Sequence, residues 1–389
     1  MARAPIPYAR QSIGEEDVRA VVDVLGSDWL TQGPAVVRFE RAVTDYCGAR
    51  FAVAVNSGTS ALHLACLAAG FGKGDLLWTT PNTFVASANC ALYCGGRVDF
   101  VDIDPATCNL SPEQFAQKLE GAARAGELPK VLVPVHFAGR PCDMARIADL
   151  AGRYGVSVIE DASHALGGSY RGIRAGRCTY SEMAVLSFHP VKIITSGEGG
   201  MVLTDREDLY ERVALLRSHG ITRDPALMEE ETHGPWYYQQ IDLGFNYRMT
   251  DIQAALGRSQ LARVDAFVAR RRNLAARYAE GLRDLPLTLP GEDRDERSSW
   301  HLYVIRLRLE EIRKGRRQVF EELRHAGIAV NLHYIPVHTQ PYYRRMGFRW
   351  GDFPEAERYY REAISLPMYY GLMEAEQDYV MATLREILA

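Results

Sequence analysis

Lys192 stands in the middle of the stretch Ser187-Phe-His-Pro-Val-Lys-Ile-Ile-Thr-Ser-Gly-Glu-Gly-Gly-Met201, with Gly197, Gly199 and Gly200 close behind it. An apolar run, Ala184-Val-Leu, leads in and another, Met201-Val-Leu, leads out, so the stretch reads as a loop between two buried strands. The chain holds only 5 lysines among its 45 basic residues. An amine in an apolar pocket can lose its proton, act as a base and form an imine, none of which a guanidinium does. Read plainly, the same residue is a solvated loop lysine. Upstream, Asn56-Ser-Gly-Thr-Ser60 opens a helix with hydroxyls and free backbone N–H groups. Such a terminus suits a phosphate, or is an ordinary serine or threonine cap. It lacks the P-loop spacing, and no G-x-G-x-x-G follows a first strand. Asp161 closes the strand Val156-Ser-Val-Ile-Glu-Asp. A carboxylate there either caps a loop or pairs with a protonated ring nitrogen, the second being what pyridoxal phosphate requires if its ring is to act as an electron sink.

These groups need a scaffold that brings them to one crevice. From Phe51 onward strand and helix patterns alternate: strands at Phe51–Val55, Leu76–Trp78, Val98–Val101, 131–135 and 156–161, with helices between. The helix after Ser111-Pro-Glu-Gln114 has its cap, its first-turn proline and its reaching glutamine. The order predicts a mostly parallel sheet covered by helices on both faces. Ser57, Thr59, Phe84, Asp161 and Ser187 all fall at the carboxyl ends of its strands, where ligands gather in such sheets. A second capping box, Thr250-Asp-Ile-Gln253, is expected to start one long helix whose apolar face runs through Leu261, Phe267, Leu274, Tyr278 and Leu282 to Leu285. Beyond it, a strand at Trp300–Leu307, a helix at Arg316–Ala326, a strand at Ile328–Ile335 and two terminal helices make a small α+β domain. The expected division is 1–265 for the large domain with an N-terminal arm and 266–389 for the small one.

With 389 residues and nearly half of them apolar, the chain has a substantial core. A net charge of −4 and the lack of a long basic run argue against nucleic acid as partner. Met1-Ala-Arg-Ala-Pro leads into polar sequence without a secretory pattern, and no apolar run is long enough for a membrane span. Seven cysteines without a C-x-x-C pair suggest reduced thiols and a cytoplasmic location. Cys90 and Cys94 share a helix face but have no further ligand types nearby, so core packing rather than a metal site is expected.

The motifs as a set resemble the DegT/DnrJ/EryC1/StrS family of sugar-nucleotide aminotransferases. The resemblance covers essentially the whole chain, through Trp29-Leu-Thr-Gln-Gly-Pro, Asn56-Ser-Gly-Thr-Ser-Ala-Leu, Pro81-Asn-Thr-Phe-Val-Ala, Pro134-Val-His-Phe-Ala-Gly, Glu160-Asp-Ala-Ser-His-Ala, Ser187-Phe-His-Pro-Val-Lys and Gly244-Phe-Asn-Tyr-Arg-Met. It implies an α/β chain with the type I (aspartate aminotransferase) pyridoxal phosphate fold, the cofactor alternating with its pyridoxamine form. Lys192 would carry the cofactor covalently and shuttle the proton, and Asp161 would pair with the ring nitrogen. His164 would lie by the ring hydroxyl and Phe84 on the ring face. Gly58, Thr59, Ser60 and Ser187 would hold the phosphate, with Asn246 reaching it from the second subunit of a homodimer. Arg248 would lie near the substrate entrance across the same interface. Family members acting as 3-dehydratases have histidine at the lysine position, so Lys192 implies transamination.

A finer resemblance, through Trp236-Tyr-Tyr, Trp300–Leu307, Val330–His338 and Ser365-Leu-Pro-Met-Tyr-Tyr, is to the branch that makes pseudaminic acid precursors. It implies transfer of the amino group of L-glutamate to C4 of a UDP-linked 4-keto-6-deoxy-N-acetylhexosamine. Trp29, Thr31, His333 and Tyr334 would then supply substrate contacts. A GDP- or dTDP-sugar 4- or 3-aminotransferase, or a non-catalytic regulator on the same fold, are the competing readings.

Overall fold

The computed structural model describes residues 4–389. Its main sheet has seven strands: β1 (Phe51–Val55), β2 (Leu76–Thr79), β3 (Arg97–Phe100), β4 (Val131–Val133), β5 (Ser157–Asp161), β6 (Met183–Ser187) and β7 (Gly200–Thr204), in the spatial order β1-β7-β6-β5-β4-β2-β3. Neighbours from β6 to β3 run parallel, and β7 alone is antiparallel to both strands beside it. Strands buried on both faces read as continuous apolar runs, as Ala-Val-Ala-Val and Met-Ala-Val-Leu do here. One set of covering helices packs with β1, β2 and β4 around Leu64, Phe100 and Val133, and another packs around Phe39, Phe188 and Phe267.

Because six strands point the same way, the ends at Val55, Thr79, Val133, Asp161 and Ser187 lie along one edge. Register brings them closer still. Asp161 pairs with Val185, and Gly200 pairs with both Val55 and Ser187. Residues 188–199, with Lys192, are thus the loop of an antiparallel hairpin opening onto that edge.

A second sheet of three strands, β8 (Leu287–Thr288), β9 (Tyr303–Leu307) and β10 (Ala363–Leu366), packs with the helices Arg316–His325 and Glu374–Leu388. The expected long helix is in fact two, Asp251–Leu261 and Val264–Leu282. The break falls where the Arg263 guanidinium turns to the buried Asp17 carboxylate and the Ser12 carbonyl. It also divides the apolar face: Leu261, Val264 and Phe267 enter a core of the large sheet, whereas Leu274, Tyr278 and Leu282 enter that of the small one. Residues 328–335 do not form the expected strand either. Ile328 bridges to Ile6 and Asn331 to Ser365, on different partners, so no continuous ladder develops. The helix Pro34–Cys47, for which the sequence reading made no provision, has its first turn held by Asp251, whose carboxylate accepts from the Gly33 and Ala35 amides at 2.8 Å each.

Candidate active site

A cavity of about 500 Å³ lies at the carboxyl edge of the large sheet. Lys192, Asp161, His164, Phe84, Gly58, Thr59, Ser187, His333 and Tyr334 all line it. The structure thereby joins residues that come from four strand ends and from the segment after residue 328.

The Lys192 side chain is half-buried, opening onto the cavity. Burial lowers its amine from 10.5 to about 8, against the opposing pull of the Asp161 carboxylate. Asp161 is buried, its Oδ2 accepting from the Ser87 hydroxyl at 2.6 Å and its Oδ1 from the Ser163 amide at 3.1 Å. His164 is buried beside it, with Nε2 3.1 Å from the Tyr334 hydroxyl and its ring centroid 4.4 Å from that of His301, the two rings tilted by 44°. Burial first, then the nearby Lys192 amine, holds His164 well below the usual histidine range. The same two causes lower His333 to about 4, and its Nδ1 lies 2.8 Å from the Ser365 hydroxyl. Both rings are therefore neutral at physiological pH, able to hydrogen-bond without adding charge beside the amine.

The phosphate-binding expectation concerns the helix Gly58–Ala68. Its cap Ser57 accepts from the Ser60 amide at 3.1 Å. The Gly58 and Thr59 amides find no acceptor among the described residues, as the first N–H groups of a helix do not. A Cβ on Gly58 would lie 2.9 Å from the Ser187 Cβ, and one on Gly200 would lie 2.4 Å from the Ser57 carbonyl oxygen. Two glycines thus let the helix start sit directly against the ends of β6 and β7. Ser60 does not line the cavity; its hydroxyl donates to Asn56 Oδ1 at 2.7 Å and lies 2.9 Å from Ser57 Oγ, bracing the turn.

These features fit pyridoxal phosphate. Free amides and the Ser187 hydroxyl suit a phosphate at one end, and Asp161 suits a protonated ring nitrogen at the other. Phe84, 57% exposed on the cavity wall, offers an aromatic face. His164 Nδ1 is buried with no partner among the described residues, an orphaned atom of the kind a ring hydroxyl satisfies.

Asn246, Arg248, Trp29 and Thr31 do not line this cavity. Asn246 is exposed and bridges through its backbone to Ser218, Arg248 bridges to Val55, and Thr31 bridges to Thr250. Trp29 borders a separate groove of about 780 Å³ with Arg38 and Asp251. Conversely, Tyr8, Ser87, His189 and Glu198 line the cavity without having been singled out from the sequence. Ser87 is a serine inside a helix pattern and Tyr8 lies in the N-terminal arm, far along the chain from every motif. The Pro81-Asn-Thr-Phe-Val-Ala motif just before Ser87 offered a signal, as did the stretch Ser187–Met201, which contains His189 and Glu198. Among the described residues no helix is long and apolar enough to cross a membrane, and no group of histidine, cysteine and carboxylate side chains is placed to hold a metal ion.

Residues 11–385 match the model of the DegT/DnrJ/EryC1/StrS aminotransferase family. The chain is 38% identical over 386 residues to the spore coat polysaccharide biosynthesis protein SpsC of Bacillus subtilis, covering 98% of this chain and 97% of that one. Among solved structures it resembles PseC of Helicobacter pylori, an aminotransferase involved in the biosynthesis of pseudaminic acid, at 29% identity and a TM-score of 0.89 over 99% of each chain. Spr1654 of Streptococcus pneumoniae, described as a sugar aminotransferase and solved in its PMP form, matches at 29% identity and a TM-score of 0.89 over 98% of each chain.

Proposed function

The chain belongs to the DegT/DnrJ/EryC1/StrS aminotransferase family, and from that premise we propose which reaction it performs and which residues perform it. The enzyme is a pyridoxal-phosphate-dependent sugar aminotransferase with the fold of its solved relatives. Its substrate, in this reading, is a UDP-linked 4-keto-6-deoxy-N-acetylhexosamine, aminated at C4 with L-glutamate as donor, in nucleotide-sugar biosynthesis of the pseudaminic acid type. The enzyme acts in the cytoplasm as a homodimer.

One observation carries the reading: an amine lowered to about 8 lines the same cavity as a buried carboxylate and a helix N-terminus with free amides. The cofactor, when bound, supplies an electron sink for charge developing on the substrate carbon. The rest falls to side chains. The Lys192 amine, lowered to about 8 by burial, would hold the cofactor covalently and would take and return the proton at the substrate carbon. Asp161 holds a proton on the ring nitrogen. Gly58, Thr59 and Ser187 anchor the phosphate, His164 meets the ring hydroxyl and Phe84 covers one ring face. His333 and Tyr334, on the wall furnished by the second domain, meet the sugar.

Glutamate's carboxylates and the sugar's diphosphate both call for cations, and among the described residues Lys192 is the only lysine or arginine bordering the cavity. Arg248 of a second copy supplies the guanidinium, which binds carboxylate and phosphate alike. Asn246 of that copy reaches the cofactor phosphate. Co-expressed Lys192→Ala and Asn246→Ala/Arg248→Ala chains should then form mixed dimers with one intact site and recover activity absent from either parent. Inactive purified mixed dimers would remove the shared-site reading.

The substrate is tested by offering UDP-, dTDP- and GDP-linked 4-keto sugars with L-glutamate and identifying the amino sugar by NMR. The expected preference for the UDP N-acetyl sugar in kcat/KM is at least about tenfold, a gap of about 1.4 kcal/mol. Equal or reversed preference, or amination at C3, assigns the enzyme to another branch of the family.

A further inference from the structure

Asp161 is gripped by more than a paired ring would require, and its grip comes from a turn and a helix that border the same cavity. The Ser87 hydroxyl lies 2.6 Å from Asp161 Oδ2, and the Thr83 hydroxyl lies 2.8 Å from that of Ser87. Thr83, Ser87 and Asp161 are 2%, 1% and 5% exposed, so water does not compete along the chain. The direction of the bonds follows from hydrogen counting. A carboxylate only accepts, so the single hydroxyl hydrogen of Ser87 is committed to Asp161. The hydrogen between the two hydroxyls then belongs to Thr83, and the order is Thr83 to Ser87 to Asp161. Each donor polarises the next, and in a buried site that polarisation is not screened.

The elements make this arrangement stiff. Thr83 lies in the turn after β2, and Ser87 in the first turn of the helix Ala86–Tyr93, whose buried face packs in the core of the large sheet. Asp161 ends β5, with Val133 of β4 belonging to the strand between. The Ser163 amide holds Oδ1 at 3.1 Å. Both carboxylate oxygens are therefore held, Oδ2 by the short buried bond from the helix and Oδ1 by the part-buried amide two residues further along the chain.

We infer that Thr83 and Ser87 form a two-hydroxyl relay that orients Asp161 and sets how strongly its carboxylate competes for the proton on the cofactor ring nitrogen. They are positioning residues, acting through Asp161. The inference rests on the reading of Asp161 as the partner of that nitrogen. A carboxylate that accepts a strong hydrogen bond is a weaker base, so the shared proton stays with the ring. Removing the Ser87 hydroxyl makes the carboxylate more basic and draws the proton toward Asp161, weakening the electron sink.

The test loads the wild-type protein, Asp161→Ala, Ser87→Ala, Ser87→Thr and Thr83→Val with ¹⁵N-labelled pyridoxal phosphate and reads the ring-nitrogen chemical shift. The expected result is a pyridinium-like shift in the wild type, displaced toward neutral pyridine in Ser87→Ala, displaced less in Thr83→Val, and restored in Ser87→Thr. The single-turnover rate with L-glutamate falls by roughly tenfold in Ser87→Ala, as loss of one charge-assisted bond implies, while the half-saturating glutamate concentration holds. Thr83→Val is nearly isosteric and carries the test should Ser87→Ala not fold. A ring-nitrogen shift unchanged in both Ser87→Ala and Thr83→Val, while Asp161→Ala moves it, overturns the relay and leaves Asp161 in its role. A shift unmoved by Asp161→Ala overturns the underlying reading instead.

Discussion

Half-buried Lys192 and buried Arg271 are two cations that border the same small cavity behind the active site, and desolvation acts on both. It lowers the Lys192 amine to about 8 and the Arg271 guanidinium to about 10. Lys192 faces a carboxylate across an open cavity. Arg271 is 3% exposed, has no carboxylate partner among the described residues, and donates through one nitrogen to the carbonyls of Trp300, His301 and Met368 at 3.0–3.2 Å. The amine can give up its charge near neutrality and become a nucleophile or base; the guanidinium keeps its charge and works as a three-way tie between chain segments. Burial alone therefore does not mark a reactive group. Residue type and an open side toward a ligand do.

The comparison breaks first at Lys192. Lys192→Ala should abolish the visible absorbance that borohydride would otherwise fix onto the protein, and all transamination with it, at little change in melting temperature. A pyridoxyl group found after borohydride on another lysine would end the assignment. Asp161→Ala should come next, losing most of kcat while still binding cofactor. The bond itself is worth about 1.5–3 kcal/mol, and its effect is larger where charge develops only during turnover. Near-normal turnover would mean that another group supports the ring.

Arg271→Leu should invert this pattern. It leaves three carbonyls without a donor, at a cost of about 1–3 kcal/mol for each group left buried and unpaired, so the denaturant midpoint should fall clearly while kcat per folded molecule stays within about tenfold. A large kcat loss without destabilisation would give Arg271 a role in the site. The smallest effect is one of pH. Between about 8 and 10.5 the unfolded chain holds a proton that folded Lys192 has released. The unfolded state binding more protons, stability of the cofactor-free protein should rise with pH across that window, its burial penalty being full below about 8. Lys192→Met should flatten that rise in urea titrations at stepped pH; an unchanged slope would mean the amine titrates as it does in water.

Much of the large sheet was legible because its strands are short apolar runs and its helices carry strong caps. Ser57 at Gly58–Ala68, Ser111 at Pro112–Ala125 and Thr250 at Asp251–Leu261 all accept from the third helical amide, although only Gln253 closes the expected box and Gln114 does not reach back to Ser111 among the described residues. The break at Ala262–Arg263 was not legible, since neither proline nor glycine marks it. Its apparent cause, Asp17, lies 246 residues away. The segment 328–335 has strand composition, yet its partners alternate between Ile6 and Ser365. No local pattern records that.

For the site the division is similar. Lys192 with its glycines, the hydroxyl-rich turn at Asn56–Ser60 and Asp161 at a strand end are local patterns whose residue types already limit the chemistry, and the alternation of strand and helix put them at strand ends of one sheet. What lies behind them was decided in three dimensions. Ser87 meets Asp161 across 74 residues, and Tyr334 meets His164 across 170. Such pairs carry no periodic signature, because a single hydrogen bond between distant elements constrains two residues and leaves their neighbours free. Residue type and spacing determined which groups were available; the packing of helices and of the second, three-stranded sheet decided which were dehydrated, which were held, and which faced one another.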